Sequence, residues 1–220
     1  MINSFNKFKF DILKALIETL DMLIISMLIS LIIGLFISFI LFLTKKDGIY
    51  ENKLIYFLLS TIINILRSIP FILFIIVLIP FNRILIGTGF GVNASKIPLS
   101  LVGIATFARL AEQSLLDTDK ELYETSYSLG ANKYQYFKFF LLKEARSSLI
   151  LSFTSTTISL ISYSTVMGII GGGGLGYLAI SEGYNNFNYP LMWIIIIIMI
   201  VLVQLVQFTG SFIAKHLDKK

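Results

Sequence analysis

The chain has 220 residues, of which 56% are hydrophobic and only 14% are charged, with a net charge of +5. A soluble domain of this size needs more polar surface, so the composition indicates an integral membrane protein with room for about four to six helical spans. The absence of cysteine and the single histidine exclude disulfides and thiolate metal sites, and basic residues in short loops favour membrane orientation over nucleic-acid binding.

The first apolar run follows a short mixed segment. Residues 5–16 place Phe8, Ile12 and Leu16 four apart, which suggests an amphipathic helix at the membrane surface, with a frayed tail as the alternative. The sequence lacks the pattern of a cleavable signal. Residues 22–43 carry no charge and predict the first transmembrane helix.

The remaining spans differ in strength. The second apolar run is longer than one span requires and contains Arg67 and Pro70, and the third is weak because Arg109 and Glu112 lie near its end. The fold class is therefore predicted as an all-α integral membrane protein in one domain. Its predicted spans are 22–43, 54–81, 97–116, 147–170 and 190–214.

The weak third span decides the topology. Five spans place twelve basic residues on one side and five on the other, with Arg67 inside a span, whereas four spans give fourteen against three. Four spans would leave the apolar residues 97–116 in water with no soluble core to join. We therefore predict five spans, with the N-terminus outside and the 44–53 loop and C-terminus in the cytosol.

A polar segment, residues 117–146, interrupts the apolar chain. Thr118 and Glu121 have the spacing of a capping box, which predicts a helix from Asp119 to about Leu129. Gly130 would end that helix, since glycine accepts the left-handed conformation without strain. A second helix would start near Asn132, at an angle to the first and on the cytosolic face.

The second of these helices is predicted to have one apolar stripe, formed by Tyr134, Phe137 and Leu141. A solvated loop between spans is the simplest interpretation. The segment is about 30 residues long, however, whereas such loops are usually short, and it keeps exposed aromatic side chains that need a cover. These features favour a docking surface.

Three stretches and the polar segment carry a family resemblance. Glu124, with Gly130 six residues later and "FKFFLL" at the end, resembles the EAA loop of ABC-importer permeases. "NILRSIPFILFIIVLIPFNRILIGTGFG", "SYSTVMGIIGGGGLGYLAISEGYNNF" and "MWIIIIIMIVLVQLVQFTG" are similar, in order and spacing, to the permease subunit of methionine ABC importers. Thr125-Ser126 replaces the usual Ala-Ala, and Leu142-Lys143 replaces the usual Leu-Pro, which leaves the exit from the second helix less fixed.

The resemblance implies a type I importer permease that works as a homodimer in the bacterial inner membrane. It implies two cytosolic ATPase subunits, which use ATP and Mg²⁺, and an extracytoplasmic binding protein that delivers methionine. The chain itself would bind no cofactor and catalyse no reaction. The expected ATPase-coupling residues are Glu124, Thr125, Ser126, Gly130, Ala131, Tyr134, Phe137 and Leu141.

Two glycine clusters could be mistaken for nucleotide sites. "GTGFG" and "GGGGLG" both lack the following Lys-Ser/Thr of a phosphate-binding loop. We predict that the second cluster forms a close-packed extracytoplasmic turn near the outer gate or the binding-protein contact, with plain loop flexibility as the alternative. Its residues are Gly171, Gly172, Gly173 and Gly174.

Arg67 is the charge deepest in a predicted span. It would either face the pathway, where it could steer a substrate carboxylate, or tie the helix break before Pro70 to backbone carbonyls or a neighbouring span. The Ser and Thr residues of the fourth span are assigned jointly to the dimer interface and the pathway wall. The candidate pathway or gate residues are Arg67, Pro70, Ser164, Val166 and Met167.

Other function classes fit the sequence less well. An ion-coupled secondary transporter would need an intramembrane Asp or Glu relay, and an intramembrane hydrolase would need a His partner, paired Asp residues or a metal ligand set. Within the importer interpretation, another amino acid or a small peptide is the alternative substrate, because nothing in the residues themselves specifies methionine.

Overall fold

The secondary structure is helical, as predicted, in a computed structural model that describes residues 2–118 and 121–218. Two π-helical stretches, Tyr136–Leu141 and Ala179–Asn185, follow α6 and α8. The α-helices are α1 (Ile2–Thr44), α2 (Lys53–Ser68), α3 (Phe71–Ile86), α4 (Val92–Leu116), α5 (Leu122–Ser128), α6 (Lys133–Gln135), α7 (Leu142–Ile169), α8 (Gly174–Leu178) and α9 (Tyr189–Leu217).

Helices α1 and α4 pack together through a row of small residues. Ser26, Ser30, Gly34 and Ser38 recur every four residues on α1 and are all buried. A Cβ atom on Gly34 would lie 3.0 Å from the Phe107 ring of α4, so the backbones are already close. Such spacing lets two helices approach closely without a hydrophobic driving force between them.

The N-terminal residues continue the first span instead of forming a separate surface helix. Helix α1 runs unbroken from Ile2 to Thr44, and Ile12 and Ala15 are buried in a cluster with Leu175 and Leu191. The expectation of a short helix on the membrane surface is therefore wrong. Its apolar stripe is covered by α8 and α9.

The second predicted span is broken. Helices α2 and α3 are bent by 107° at a break between Ser68 and Phe71. Pro70 has no N–H to continue the helix and forces Ile69 out of the helical region, as its extended backbone (ψ 125°) shows. Within the described residues, four other helical stretches are long and apolar enough to cross a membrane. The predicted five spans are met if the bent pair counts as one.

Many hydroxyls of α7 pack inside the subunit. Gly210 of α9 lies against Thr154, and the Ser147 hydroxyl donates to the Ala214 carbonyl at 3.1 Å. The joint assignment of this helix to the dimer interface and pathway wall therefore needs correcting, because one face of α7 is used within the chain. The buried hydroxyl residues of α7 are Thr154, Thr156, Thr157 and Ser164.

The described helices form a bundle whose two ends have different structures. At one end, which we call the glycine end, Glu18 and Thr19 of α1 meet residues 168–178 and the start of α4. At the other, the end of α1 and the end of α4 meet residues 121–141, which we call the coupling segment. Since α9 begins beside α8 and ends beside the start of α7, the two ends of the described chain lie at opposite ends of the bundle.

Candidate partner-docking segment and transmembrane pathway

The first helix of the coupling segment ends in a complete Schellman motif. Gly130 has φ +74°. Its N–H donates to the Tyr127 carbonyl at 2.9 Å, and the Ala131 N–H donates to the Ser126 carbonyl at 3.0 Å. These two bonds close the end of α5 and need a left-handed residue between them. The predicted role of Gly130 as the end of this helix is confirmed.

The second helix starts where the sequence predicts. The Asn132 side chain accepts from the Gln135 N–H at 2.9 Å, and the Asn132 N–H donates to the Gln135 side chain at 2.8 Å. This reciprocal pair is a capping box. The other predicted box includes Asp119 and Lys120, which lie outside the described residues, and α5 has its first helical residue at Leu122.

The second helix was expected to be a separate short element. Instead, it runs directly into the fourth span. Helical structure continues from Lys133 to Ile169 through a π-helical turn, in which the Leu142 N–H donates to the Phe137 carbonyl. Lys143, at the position of the family's usual proline, keeps a backbone N–H and fits inside this continuous helix. The coupling segment is therefore connected to the fourth span by continuous helix.

The π-helical turn also changes which side chains face inward. Tyr134 is 67% exposed, whereas Tyr136 is 5% exposed and contacts the Tyr123 ring at 5.1 Å. The predicted stripe is therefore wrong at Tyr134 and right at Phe137 and Leu141, which pack inward. A π-turn adds a residue to the turn and rotates the positions before it relative to those after it.

The opposite side of the coupling segment is open and partly apolar. Tyr127 and Leu129 are 73% and 72% exposed, and Phe139 is 54% exposed. Glu124 and Thr125 are exposed on α5, whereas Ser126 is buried and its hydroxyl donates to the Tyr123 carbonyl. Large side chains on a hydrogen-bonded backbone suit a partner groove better than solvent.

A buried carboxylate supports α4 just before the segment. Glu112 is 1% exposed, and its Oε2 accepts from Arg109 Nη1 at 2.7 Å while its Oε1 accepts from the Tyr56 hydroxyl at 3.2 Å. Glu112 lies near the end of the third predicted span, and these two bonds engage its carboxylate. Because both oxygens are bonded, Glu112 ties α2 to α4 and meets the requirement that buried charges be paired.

Three serines make the matching connection from α4 to α7. The Ser114 and Ser152 hydroxyl oxygens are 2.8 Å apart, and the Ser148 hydroxyl donates to Ser114 at 2.9 Å. The end of α4 is thus held from both sides by polar bonds, to α2 and to α7.

The glycine cluster at the other end is a close-packed turn. Gly171, Gly173 and Gly174 have positive φ values, and Gly172 and Gly174 are buried. The Gly171 carbonyl accepts from the Gly91 N–H at 3.0 Å, and the Gly172 carbonyl accepts from the Ser95 hydroxyl. Of the two structures considered for this cluster, close packing is the one observed.

Two residues of α1 complete this turn and were missed by the sequence argument. The Gly174 N–H donates to Glu18 Oε2 at 2.9 Å, and the Leu175 N–H donates to the Thr19 hydroxyl at 2.8 Å. These are the free N–H groups at the start of α8, and they are capped from 156 positions away in the chain. No local sequence pattern predicts a cap from so distant a residue.

The candidate pathway residues fall into two groups. Arg67 and Pro70 are exposed at the bend between α2 and α3. Ser164 and Met167 are buried, and Val166 packs against the same cluster as Met167. Within one subunit only the first group is open, and the pathway role of all five stays a prediction.

An all-helical membrane chain with a paired-helix segment at one end and a glycine turn at the other has the architecture of a transport permease. The sequence matches the family described as "Binding-protein-dependent transport system inner membrane component" over residues 34–220. The chain belongs to this family.

Individual proteins of known name are similar to this chain over most of its length. A "Probable D-methionine transport system permease protein MetI" of Pasteurella multocida is 41% identical and covers 93% of this chain and 94% of its own length. A "Methionine import system permease protein MetP" of Bacillus subtilis is 37% identical over 82% of each chain. In a solved inward-facing structure of the MetNI methionine ABC transporter, a chain with 35% identity superposes with a TM-score of 0.91, covering 94% of this chain and 96% of that one.

Proposed function

We propose that this chain is the membrane-spanning permease subunit of an ATP-driven methionine importer. Two copies form the translocation pathway, and each coupling segment docks on a separate cytosolic ATPase. The ATPase, not this chain, uses ATP and Mg²⁺. Closure of the two ATPases on ATP moves the coupling segments and rocks the spans between inward- and outward-facing states.

The observation that carries this proposal is the construction of the coupling segment. Its backbone is fixed by the Schellman motif at Gly130 and the capping box at Asn132, and its inner side is anchored between α1 and α4. Its outer side exposes Glu124, Tyr127 and Leu129. Because it continues as a helix into α7, force applied to it reaches a span directly.

The direct test is joint purification and transport. The chain is expressed with an ABC ATPase from the same genome, purified through a tag on this chain, and reconstituted into vesicles with the binding protein. We expect stable association and uptake of labelled methionine that requires ATP. Uptake without any ATPase, driven by an ion gradient alone, would support a secondary transporter and contradict the proposal.

The substrate assignment is supported by the names of the relatives, which are methionine transport permeases. Type I permeases often leave selectivity to the binding protein, so the ligand bound to that protein is the informative measurement. We expect methionine to be recovered from it by mass spectrometry. Recovery of a different amino acid or a small peptide would replace methionine and leave the permease assignment standing.

The proposed orientation places the coupling segment and the C-terminus in the cytosol. It is supported by the distribution of basic residues, twelve against five in the five-span arrangement, and by chain ends at opposite ends of the bundle. The chain has no native cysteine, so single cysteines at Lys46 and Asn185 can be labelled with an impermeant maleimide. Labelling of Lys46→Cys with protection of Asn185→Cys in intact cells would reverse the orientation.

A further inference from the structure

Helix α2 presents three faces, each a row of residues spaced three or four apart. The first face packs against α1 and α4 and contains Tyr56, Leu59, Ile63 and Leu66. The second is apolar and exposed and contains Leu54, Leu58, Ile62 and Ile65. The third is mostly polar and contains Asn64 and Arg67, which are exposed, and Ser60, which is partly buried, with the exposed Phe57 one turn before Ser60.

The second face is suited to lipid and the third is not. Hydrocarbon cannot hydrogen-bond an exposed amide or guanidinium, so polar side chains in a span face water, protein or a ligand. Arg67 lies about 21 Å along the helix from Lys53, by the rise of 1.5 Å per residue. The polar row therefore reaches deep into the membrane region.

Arg67 differs from Arg109 in having no partner among the described residues. Arg109 is paired with Glu112 at 2.7 Å. Among residues 6–118 and 121–218, no ion pair or hydrogen bond involves the Arg67 side chain. The alternative that Arg67 ties the helix break to nearby carbonyls thus has no bond to support it.

The polar row is nevertheless held in a fixed position. At one end, the Tyr56 hydroxyl is bonded to buried Glu112. At the other, Phe71, directly after the bend, packs its ring 4.5 Å from that of Tyr163 on α7. The backbone that carries Arg67 is therefore fixed at both ends, and its exposed guanidinium is open to an anion.

We propose that Ser60, Asn64 and Arg67 line the aqueous translocation pathway, and that Arg67 receives the carboxylate of the amino acid in transit. This inference rests on the proposed importer function. A guanidinium matches a carboxylate with two parallel hydrogen bonds, and Asn64, one turn earlier, adds an amide within the same row. No acidic residue neutralises Arg67 in the described subunit, so its charge remains available to a passing anion.

The first test maps the three faces by water access. Single cysteines at Ser60 and Asn64 are compared with matched controls at Leu58 and Ile62 of the same helix, in reconstituted vesicles. The cysteine thiolate, which forms only in water, attacks the sulfenyl sulfur of a methanethiosulfonate reagent, forms a mixed disulfide and releases methanesulfinate. We expect labelling at Ser60→Cys and Asn64→Cys, slowed by methionine with the loaded binding protein, and none at the controls. Equal labelling on both faces, or none on the polar face, would overturn the pathway assignment.

The second test concerns the charge itself. Arg67→Gln, Arg67→Lys and the control Arg83→Gln, at the far end of α3, are assayed for methionine uptake, ATP hydrolysis and dimer stability. We expect Arg67→Gln to slow uptake by roughly tenfold or more while ATP hydrolysis and assembly persist, Arg67→Lys to retain part of the rate, and Arg83→Gln to behave as wild type.

Two outcomes of the second test would contradict the inference. Normal uptake by Arg67→Gln would remove the carboxylate role, and loss of the dimer in that variant would mean that Arg67 pairs with the second copy. Neither outcome touches the permease assignment, which depends on whether the wild-type chain binds the ATPase and imports at all.

Discussion

At the glycine end, Gly168 and Gly176 let the backbones of α7 and α8 meet, whereas Gly130 in the coupling segment has no atom within 4 Å of where its Cβ would stand. The first two glycines are required by space, and Gly130 is required only by its left-handed conformation. The glycine end is therefore fixed by close packing between helices. The coupling segment is shaped by its local backbone conformation and is left open for an external partner.

The largest expected effect is at the glycine end, where two backbones pack together. In Gly176→Val, the new Cβ would lie 2.6 Å from Thr165 Cα and 2.8 Å from the Thr165 carbonyl oxygen, and backbone cannot move aside cheaply. We expect destabilisation at or beyond the about 1–3 kcal/mol usual for overpacking, measured as loss of folded protein and thermal stability in detergent. The control is Tyr177→Val, at the exposed neighbour. Wild-type stability of Gly176→Val would mean that the two backbones are not in contact.

The next effect separates conformation from packing. In Gly130→Val, a β-branched residue in the left-handed region costs about 1–2 kcal/mol locally and misaligns the two docking helices. We expect normal insertion and dimerisation, with loss of ATPase co-purification and of ATP-dependent uptake.

The matched variant at this position is Gly130→Asn, since asparagine tolerates the left-handed conformation. It should retain association with the ATPase. Normal coupling in Gly130→Val would show that the angle between the two helices is not set at this residue, and equal loss in both variants would point to packing instead of conformation.

At Glu124, which is exposed in the first turn of α5, we expect ATPase association to be weakened and not lost. Glu124→Ala should weaken ATPase binding by roughly 1.5–3 kcal/mol, the value of a hydrogen bond to a charged group. The Ser128 hydroxyl already donates to the Glu124 carbonyl at 2.9 Å, so Ser128→Ala on the same helix is the control. If titration of the ATPase gives the same affinity for both variants and wild type, Glu124 does not contact the partner.

The smallest effect is expected at Glu18, which caps α8 from α1. Glu18→Ala removes one of the two caps and should cost about 1 kcal/mol, or roughly 2–4 °C in Tm for a chain of this size. ATPase affinity should be unchanged, because the cap lies at the opposite end from the coupling segment, and Glu18→Gln should restore most of the Tm. A change in ATPase affinity would show that the two ends are energetically coupled.

The sequence alone determined the features that depend on neighbouring residues. The apolar runs predicted the four long helices that could each cross a membrane, because a crossing requires about 20 apolar residues per helix. Gly130 and Asn132 predicted the end of one helix and the start of the next, since capping is a local hydrogen-bonding problem. Pro70 similarly marked the break between α2 and α3.

Only the tertiary structure decided the features that depend on residues far apart in the chain. It placed Glu18 on the N–H of Gly174, buried Glu112 against Tyr56, and turned Tyr136 inward in place of Tyr134. Each of these requires two helices to be positioned before the bond or contact exists. A local pattern specifies the backbone of one element, whereas packing between elements decides which elements contact each other. The small residues spaced four apart on α1 could therefore be recognised as a packing surface only once α4 was seen against them.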